Sequence, residues 1–297
     1  MNSKKKTIGY DAKNSNHIDY SKKRKVSHGR EWTKSEITFL ENKYKSGYSR
    51  TEISKLYAEK FFKNGWTRSP DSIKHGIEVY CQHINKDVPK VLFLDIETKP
   101  MKAFVWNQWE NDVPLDMLIE DGSIISFCAK WAGDEDNKVI YMDQRGKEKN
   151  LMDDKKLMLA LWKLLDEADI VVGQNSNRFD LPKINARFIA HGLDAPSAYK
   201  KIDTMLIARA NFSFFSNKLA HLSAMFAKKH KKDSHKEFPG FSLWAECLKG
   251  NKKAWVTMQR YNIKDVLSLE EVFLALSKYV KNNKTVTAAL RVYENKS

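Results

Sequence analysis

Three groups of residues in this chain have the types and spacing to do chemistry. Asp95 and Glu97 stand two apart in Val91-Leu92-Phe93-Leu94-Asp95-Ile96-Glu97-Thr98. Side chains alternate along a strand, so these acids share a face with Val91 and Phe93, while Leu92, Leu94 and Ile96 take the other. Two neighbouring carboxylates on a covered face repel each other and lose hydration, which requires a cation; at a strand end that reaches solvent they would need none. Asp180 lies in Gln174-Asn175-Ser176-Asn177-Arg178-Phe179-Asp180-Leu181-Pro182, a turn after an apolar strand, where it can cap the next helix with Pro182 in the first turn. Tyr261 and Asp265 are one helical turn apart, on a face that continues through Leu269, Val272 and Leu276. An acid on that apolar stripe, with no Lys or Arg beside it, needs either a metal or a distant basic partner.

The elements that must position these residues follow an α/β pattern. After the strand at 91–98, ended by Lys99-Pro100, strands are predicted over Ser123–Trp131 and Lys138–Met142. An amphipathic helix over Asp153–Ala168 turns Leu157, Leu161, Leu164 and Leu165 inward. A strand at Asp169–Gly173, a helix near Leu181–Ala190, a short strand at Lys201–Asp203 and a mostly helical remainder complete the unit.

Residues 31–88 read differently, as three short helices. Thr33-Lys34-Ser35-Glu36 and Ser49-Arg50-Thr51-Glu52 are capping boxes, and Ser69-Pro70 is an N-cap followed by proline at the first helical position. The first helix carries Phe39, Leu40 and Tyr44 and is ended by Gly47; the second carries Ile53, Leu56, Tyr57 and Phe61 and ends near Gly65. The third runs through Ile73, Ile77 and Tyr80, with Lys74, His75 and Lys86 on or near it. With a short turn before the last helix, this matches a helix-turn-helix unit. Residues 1–30 are polar and basic, including Lys22-Lys23-Arg24-Lys25, and read as a flexible arm. The expected organisation is therefore an arm at 1–30, a helical domain at 31–88 and an α/β domain at 89–297.

The composition belongs to a soluble globular protein, and no apolar run approaches a membrane span. Cys81, Cys128 and Cys247 are far apart and form no C-x-x-C pair, so they read as reduced and non-metal. The net charge is +15, and residues 1–90 alone hold 20 Lys and Arg against 10 Asp and Glu. A basic excess at one end suits a polyanionic partner, with nucleic acid the commonest; lysines that only keep the protein soluble would look the same.

In order, Leu94-Asp95-Ile96-Glu97-Thr98, Asn175-x-x-x-Phe179-Asp180 and Tyr261-x-x-x-Asp265 resemble the three motifs of the DEDD superfamily, the DnaQ-like 3′-5′ exonucleases with an RNase H-like fold. The resemblance covers roughly residues 89–278. Arg260 stands where a histidine-type member would have its histidine, so the tyrosine type is the one resembled, as in the exonuclease domain of family-B DNA polymerases. Asp203-Thr204 and Lys218-Leu219 agree with it. Trp32, the aromatic spacing and Gly65-Trp66-Thr67-Arg68-Ser69-Pro70-Asp71-Ser72-Ile73 resemble a Myb/SANT-like domain. That resemblance implies a third helix, with Lys74, in a DNA major groove; such modules also dock proteins.

The exonuclease resemblance implies that Asp95, Glu97, Asp180 and Asp265 hold two divalent ions, Mg²⁺ or Mn²⁺, as all-oxygen ligands favour. Asp95 would bridge both, with Glu97 and Asp265 completing one site and Asp180 serving the other. Tyr261, a phenol at neutral pH, would orient the attacking water. Thr98, Asn175 and Phe179 would border the substrate, Phe179 alternatively being core. Lys231, in the run from Lys228 to Lys236, could track phosphates or lie in a solvated loop. Phe104, Trp106 and Trp109 could stack bases or pack on the sheet. The implied function is a DNA exonuclease held on duplex by its helix-turn-helix and releasing nucleoside 5′-monophosphates from a single-stranded 3′ end. The alternatives are an exoribonuclease and a DNA-binding protein that uses the nuclease fold as a scaffold. Only 32 residues follow Asp265, so any proofreading is expected to serve a separate polymerase or recombination protein. The expected setting is repair, recombination or degradation in the cytoplasm of a bacterial or phage-infected cell, or in a nucleus if the source is eukaryotic.

Overall fold

A computed structural model describes residues 31–45, 48–61, 67–81, 88–107, 109, 112–230, 237–280 and 282–294. The basic arm, Gly47, Gly65, Lys86 and Lys231 lie outside the described residues.

The first helices form where their capping residues stand. α1 (Lys34–Lys45) opens on a reciprocal box: Thr33 N–H donates to Glu36 Oε2 at 2.7 Å and Glu36 N–H to Thr33 Oγ1 at 3.3 Å. α2 (Arg50–Phe61) repeats the pattern with Ser49 and Glu52. α3 (Pro70–Tyr80) has Ser69 as its N-cap, accepting the Ser72 N–H. Phe39, Leu40, Ile53, Tyr57 and Ile73 are the buried centre of this bundle. Gly76 lets α3 approach, since a Cβ there would fall 2.5 Å from the Trp32 ring. The expected turn before α3 includes residues 62–66, which lie outside the described residues.

A five-stranded mixed sheet organises the rest. β1 (Val91–Thr98) is central. The two-residue β2 (Lys102–Ala103) pairs with β3 (Leu118–Glu120) as a separate ribbon. β4 (Ile124–Trp131) and β5 (Ile140–Asp143) extend the sheet antiparallel on one side of β1. After α4 (Lys155–Glu167), β6 (Ile170–Gly173) joins parallel on the other side; after α5 (Asp180–Ala190), β7 (Lys200–Asp203) follows it. The order is β5-β4-β1-β6-β7. α6 (Thr204–Asn211), α7 (Leu219–Phe226), α8 (Ser242–Leu248), the 26-residue α9 (Lys252–Ser277) and α10 (Lys284–Glu294) complete the chain. Between Val91 and Asp203 the predicted strands and helices fall within one or two residues of the expected limits, the usual fraying of element ends.

The alternation expected of β1 holds. Leu92, Leu94 and Ile96 pack with Leu157, Leu161 and Leu165 of α4 and Leu181 and Ile184 of α5. Val91 and Phe93 face Val266, Leu269, Val272 and Phe273 of α9, and the Phe93 and Phe273 rings meet edge to face at 5.7 Å. The sheet is thus covered on both faces by helices. Among the described residues no helix is long and apolar enough to cross a membrane, and all three cysteines are buried outside any disulfide.

The helical bundle is docked on this sheet unit. Arg50, itself buried, donates to the carbonyls of Ala198 at 3.0 Å and Ala168 at 2.6 Å and pairs with Asp169 at 3.2 Å. Thr51 Oγ1 donates to Asp166 Oδ1 at 2.5 Å, and Asp166 also accepts the Ser197 N–H.

Candidate metal centre

The β1 alternation that turns Phe93 onto α9 turns Asp95 and Glu97 to the same side. α9 crosses there, and its apolar stripe brings Asp265 down onto them. Carboxylate oxygens of Asp95, Glu97 and Asp265 lie within 4.8 Å of one another. Asp265 is buried and the two strand acids are half-buried, so like charges are packed where water is scarce.

A bulge shapes this end of the sheet. Glu97 pairs with Ser126 but Thr98 with Ile124, which skips Ile125. Ile125 packs with Trp255 and Met258 of α9, while the adjacent Ser126 also reaches α9, through Asn262. Two consecutive residues of β4 therefore serve one face, as bulges near functional sites often arrange. Asn262 Nδ2 donates in turn to Asp95 Oδ2 at 2.5 Å. The sequence reading missed both Ser126 and Asn262. The available signal was an amide three residues before Asp265 on the same buried stripe.

Asp180 arrives from the opposite face. β6 pairs with β1 only as far as Phe93, so the Ile96 N–H faces no strand, and Asp180 Oδ1 accepts it at 3.1 Å. This corrects the capping role: Phe179 occupies the N-cap position of α5, and the Asp180 side chain turns to β1 instead. Burial pushes its carboxyl up to about 7, opposed by the Ile96 N–H and its own amide and helped by the charge of Asp203. Asp180 stands beside the three clustered carboxylates without belonging to their 4.8 Å group.

The loop from β6 to α5 is built for close approach. A Cβ on Gly173 would meet Ser176 Cβ at 2.4 Å, so only glycine fits the turn. Asn175 has a φ of 59°, a left-handed conformation that asparagine tolerates. Asp203 pins the loop by accepting the Asn175 N–H at 2.9 Å and the Asn177 N–H at 3.1 Å, while also capping α6. Thr204 Oγ1 donates to the Gly173 carbonyl at 3.1 Å. Asp203 and Thr204, minor echoes in the sequence, are structural braces here.

The remaining predicted residues are scattered by role. Tyr261 is half-buried, its ring edge-on to Trp244 at 6.1 Å. Thr98 ends β1 at the bulge. Phe179 is 39% exposed with Lys183 Nζ 5.0 Å from its ring centre, so it is not core. Phe104, Trp106 and Trp109 do not pack on the sheet: they are 70%, 85% and 80% exposed, in the segment that leaves β1. Its root is held by the buried Lys99, which donates to Glu120 at 2.5 Å. Lys74, assigned to DNA in the sequence, is half-buried on α3. Its ammonium donates to the Ala198 carbonyl at 3.2 Å, toward the sheet unit, and the exposed positions of α3 are Asp71, His75, Glu78 and Val79. The start of the lysine run is also engaged, as the backbone N–H groups of Lys228, Lys229 and His230 donate to Glu271 on α9.

The clustered donors are all carboxylate oxygens, with no histidine or cysteine, which fits a hard divalent cation such as Mg²⁺ or Mn²⁺.

Comparison with known proteins bears on the fold. The family model of the RNase H superfamily matches residues 120–277, more than half of the chain. The chain belongs to the RNase H superfamily. No curated protein sequence matches it. Among solved structures, this RNase H superfamily member is similar to the family B DNA polymerase of the hyperthermophilic archaeon Pyrobaculum calidifontis. The TM-score is 0.43 at 16% identity, over 70% of this chain and 29% of the polymerase. The chain therefore corresponds to less than a third of that polymerase's length. Within the RNase H superfamily frame, β1 and β6 are parallel neighbours, and the acids lie at their C-terminal ends, where open α/β sheets place ligands.

Proposed function

We propose that this chain is a two-metal-ion 3′-5′ exonuclease of the tyrosine DEDD type, acting on DNA and releasing nucleoside 5′-monophosphates. The convergence of Asp95, Glu97 and Asp265 within 4.8 Å carries this reading. A cluster of that charge on a covered sheet face costs stability unless cations neutralise it. Two divalent ions, when bound, supply an activated water and stabilise charge on the leaving oxygen. Asp95, Glu97 and Asp265 would hold one, with Asp95 shared and Asp180 serving the second. Tyr261 would orient the attacking water through its hydroxyl. Thr98, Asn175 and Phe179 border the approach, and Phe104, Trp106 and Trp109 offer faces on which unpaired bases stack. An incoming strand is thus single-stranded at its 3′ end.

For residues 31–88 the geometry favours a second reading over the major-groove one. With Arg50 and Lys74 both directed at Ala198, and acids on the outer positions of α3, the three helices act as a fixed brace on the nuclease unit. A direct test of the enzyme reading compares linear with circular single-stranded DNA, each with Mg²⁺, Mn²⁺ or chelator. Metal-dependent loss of the linear form alone supports it; resistance of both, or cutting of the circle, rejects it.

A further inference from the structure

Asn262 is wholly buried on α9, between Tyr261 and Asp265, and spans two strands with one amide. Its Nδ2 donates to Asp95 Oδ2 at 2.5 Å, and its Oδ1 accepts the Ser126 hydroxyl at 3.2 Å. The amide has one sensible orientation. An ionised carboxylate only accepts, so the NH₂ group must face Asp95 and the carbonyl must face Ser126. A leucine of nearly the same size would suit a buried helix face without the cost of desolvating an amide. The polar residue therefore has work that packing does not explain.

Its chemistry narrows that work. A lysine or arginine at 262 would also hold Asp95, but its charge would cancel part of the field that attracts a cation. A neutral donor restricts the carboxylate's rotation and leaves the negative charge of Asp95, Glu97 and Asp265 intact. Ser126 is available to hold the amide because the β4 bulge keeps it opposite Glu97 and under α9.

We infer that Asn262 is a positioning residue of the metal centre: held by Ser126, it locks the Asp95 carboxylate in the orientation that meets a divalent cation. The inference rests on the metal-dependent reading of this site. Partners that orient ligating groups are typically worth about 10–100-fold in metal affinity when removed.

The test uses the full chain as wild type, Asn262→Leu and Ser126→Ala, with thermal melting to verify folding. Mn²⁺ binding is read from the electron paramagnetic resonance signal of the free ion, independently of activity, and the Mn²⁺ concentration for half-maximal DNA cleavage is measured alongside. Asn262→Leu should weaken binding and raise the half-saturating concentration by about tenfold or more, with most of the turnover recovered at saturating Mn²⁺. Ser126→Ala should shift both in the same direction by less. A folded Asn262→Leu protein that binds Mn²⁺ as tightly as wild type overturns the inference. Should Asn262→Leu fail to fold, unchanged Mn²⁺ binding by Ser126→Ala overturns it. If wild type binds Mn²⁺ but cuts no nucleic acid, the nuclease reading fails, and a weaker Mn²⁺ site in the variants still upholds the role of Asn262. If wild type binds no Mn²⁺, both fall.

Discussion

Asp180, the first residue of α5, accepts the backbone N–H of Ile96 at 3.1 Å, between the two acidic side chains of β1. The bond exists because β6 stops pairing at the level of Phe93 and leaves the end of β1 open on that side. The same gap in the sheet admits a helix start to the acidic centre. Topology and site are therefore linked through one backbone donor that the sheet leaves to Asp180.

The three clustered carboxylates should oppose folding when no cation is present. Asp265→Asn removes one like charge, so its metal-free melting temperature should exceed that of wild type, by about 2–4 °C for each kcal/mol of repulsion relieved. Added Mg²⁺ should raise the wild-type value more than that of the variant. Cleavage by the variant should fall by about 10³-fold, about 4 kcal/mol of barrier. Thermal melts with and without Mg²⁺ check the first two expectations, and initial rates the third.

The exposed rings of the segment after β1 should contribute binding rather than chemistry. Trp106→Ala combined with Trp109→Ala should raise KM for single-stranded oligonucleotides by roughly tenfold, since a base stacked on an aromatic ring is worth about 1–3 kcal/mol. The kcat should change little. Steady-state kinetics on short and long strands separate the two parameters, and an unchanged KM would remove these residues from the substrate path.

Much of this arrangement was legible in the sequence, for identifiable reasons. The period of two in Val91–Thr98 places Asp95 and Glu97 against α9, and the stripe from Tyr261 through Leu276 places Asp265 on its buried face. Both are local periodicities. What escaped depended on contacts between distant segments. Ile125 and Ser126 break strict alternation because the bulge inserts a residue, and nothing in their identities announces it. Asp180 looked like a cap because the sequence does not show that β6 is too short to cover Ile96. The contact of Lys74 with the Ala198 carbonyl, 124 residues away, has no local signature.

Arg50 should matter more to the docked helices than any surface lysine. Arg50→Ala leaves the Ala168 and Ala198 carbonyls without their charged donor and should cost about 2–3 kcal/mol. Denaturant unfolding measures that cost, and faster proteolysis between α3 and β1 should accompany it. Lys74→Ala, by contrast, should leave the salt dependence of duplex DNA binding unchanged. A reduced salt slope would restore the major-groove reading.

Glu36 gives the helical bundle an acid-sensitive joint. Burial pushes its carboxyl up, but hydrogen bonds from the Tyr57 hydroxyl and from Thr33, together with the charge of Arg68, outweigh that and hold it below the ordinary glutamate range. A carboxyl lowered on folding stabilises the protein above its unfolded pKa, and that stability is lost as pH falls through the lower folded value. Unfolding stability measured from neutral pH into the acid range should therefore fall less steeply in Glu36→Gln than in wild type.

The central claim is cleavage from a 3′ end at the carboxylate centre. The most direct measurement follows one single-stranded DNA labelled at its 5′ end and, separately, at its 3′ end, incubated with wild type or Asp95→Ala in Mg²⁺ or Mn²⁺. The account predicts a 5′-labelled ladder that shortens stepwise, immediate release of the 3′ label as a 5′-mononucleotide, and neither product with Asp95→Ala. Stepwise loss from the 5′ end, internal cuts, or equal activity in Asp95→Ala would contradict it.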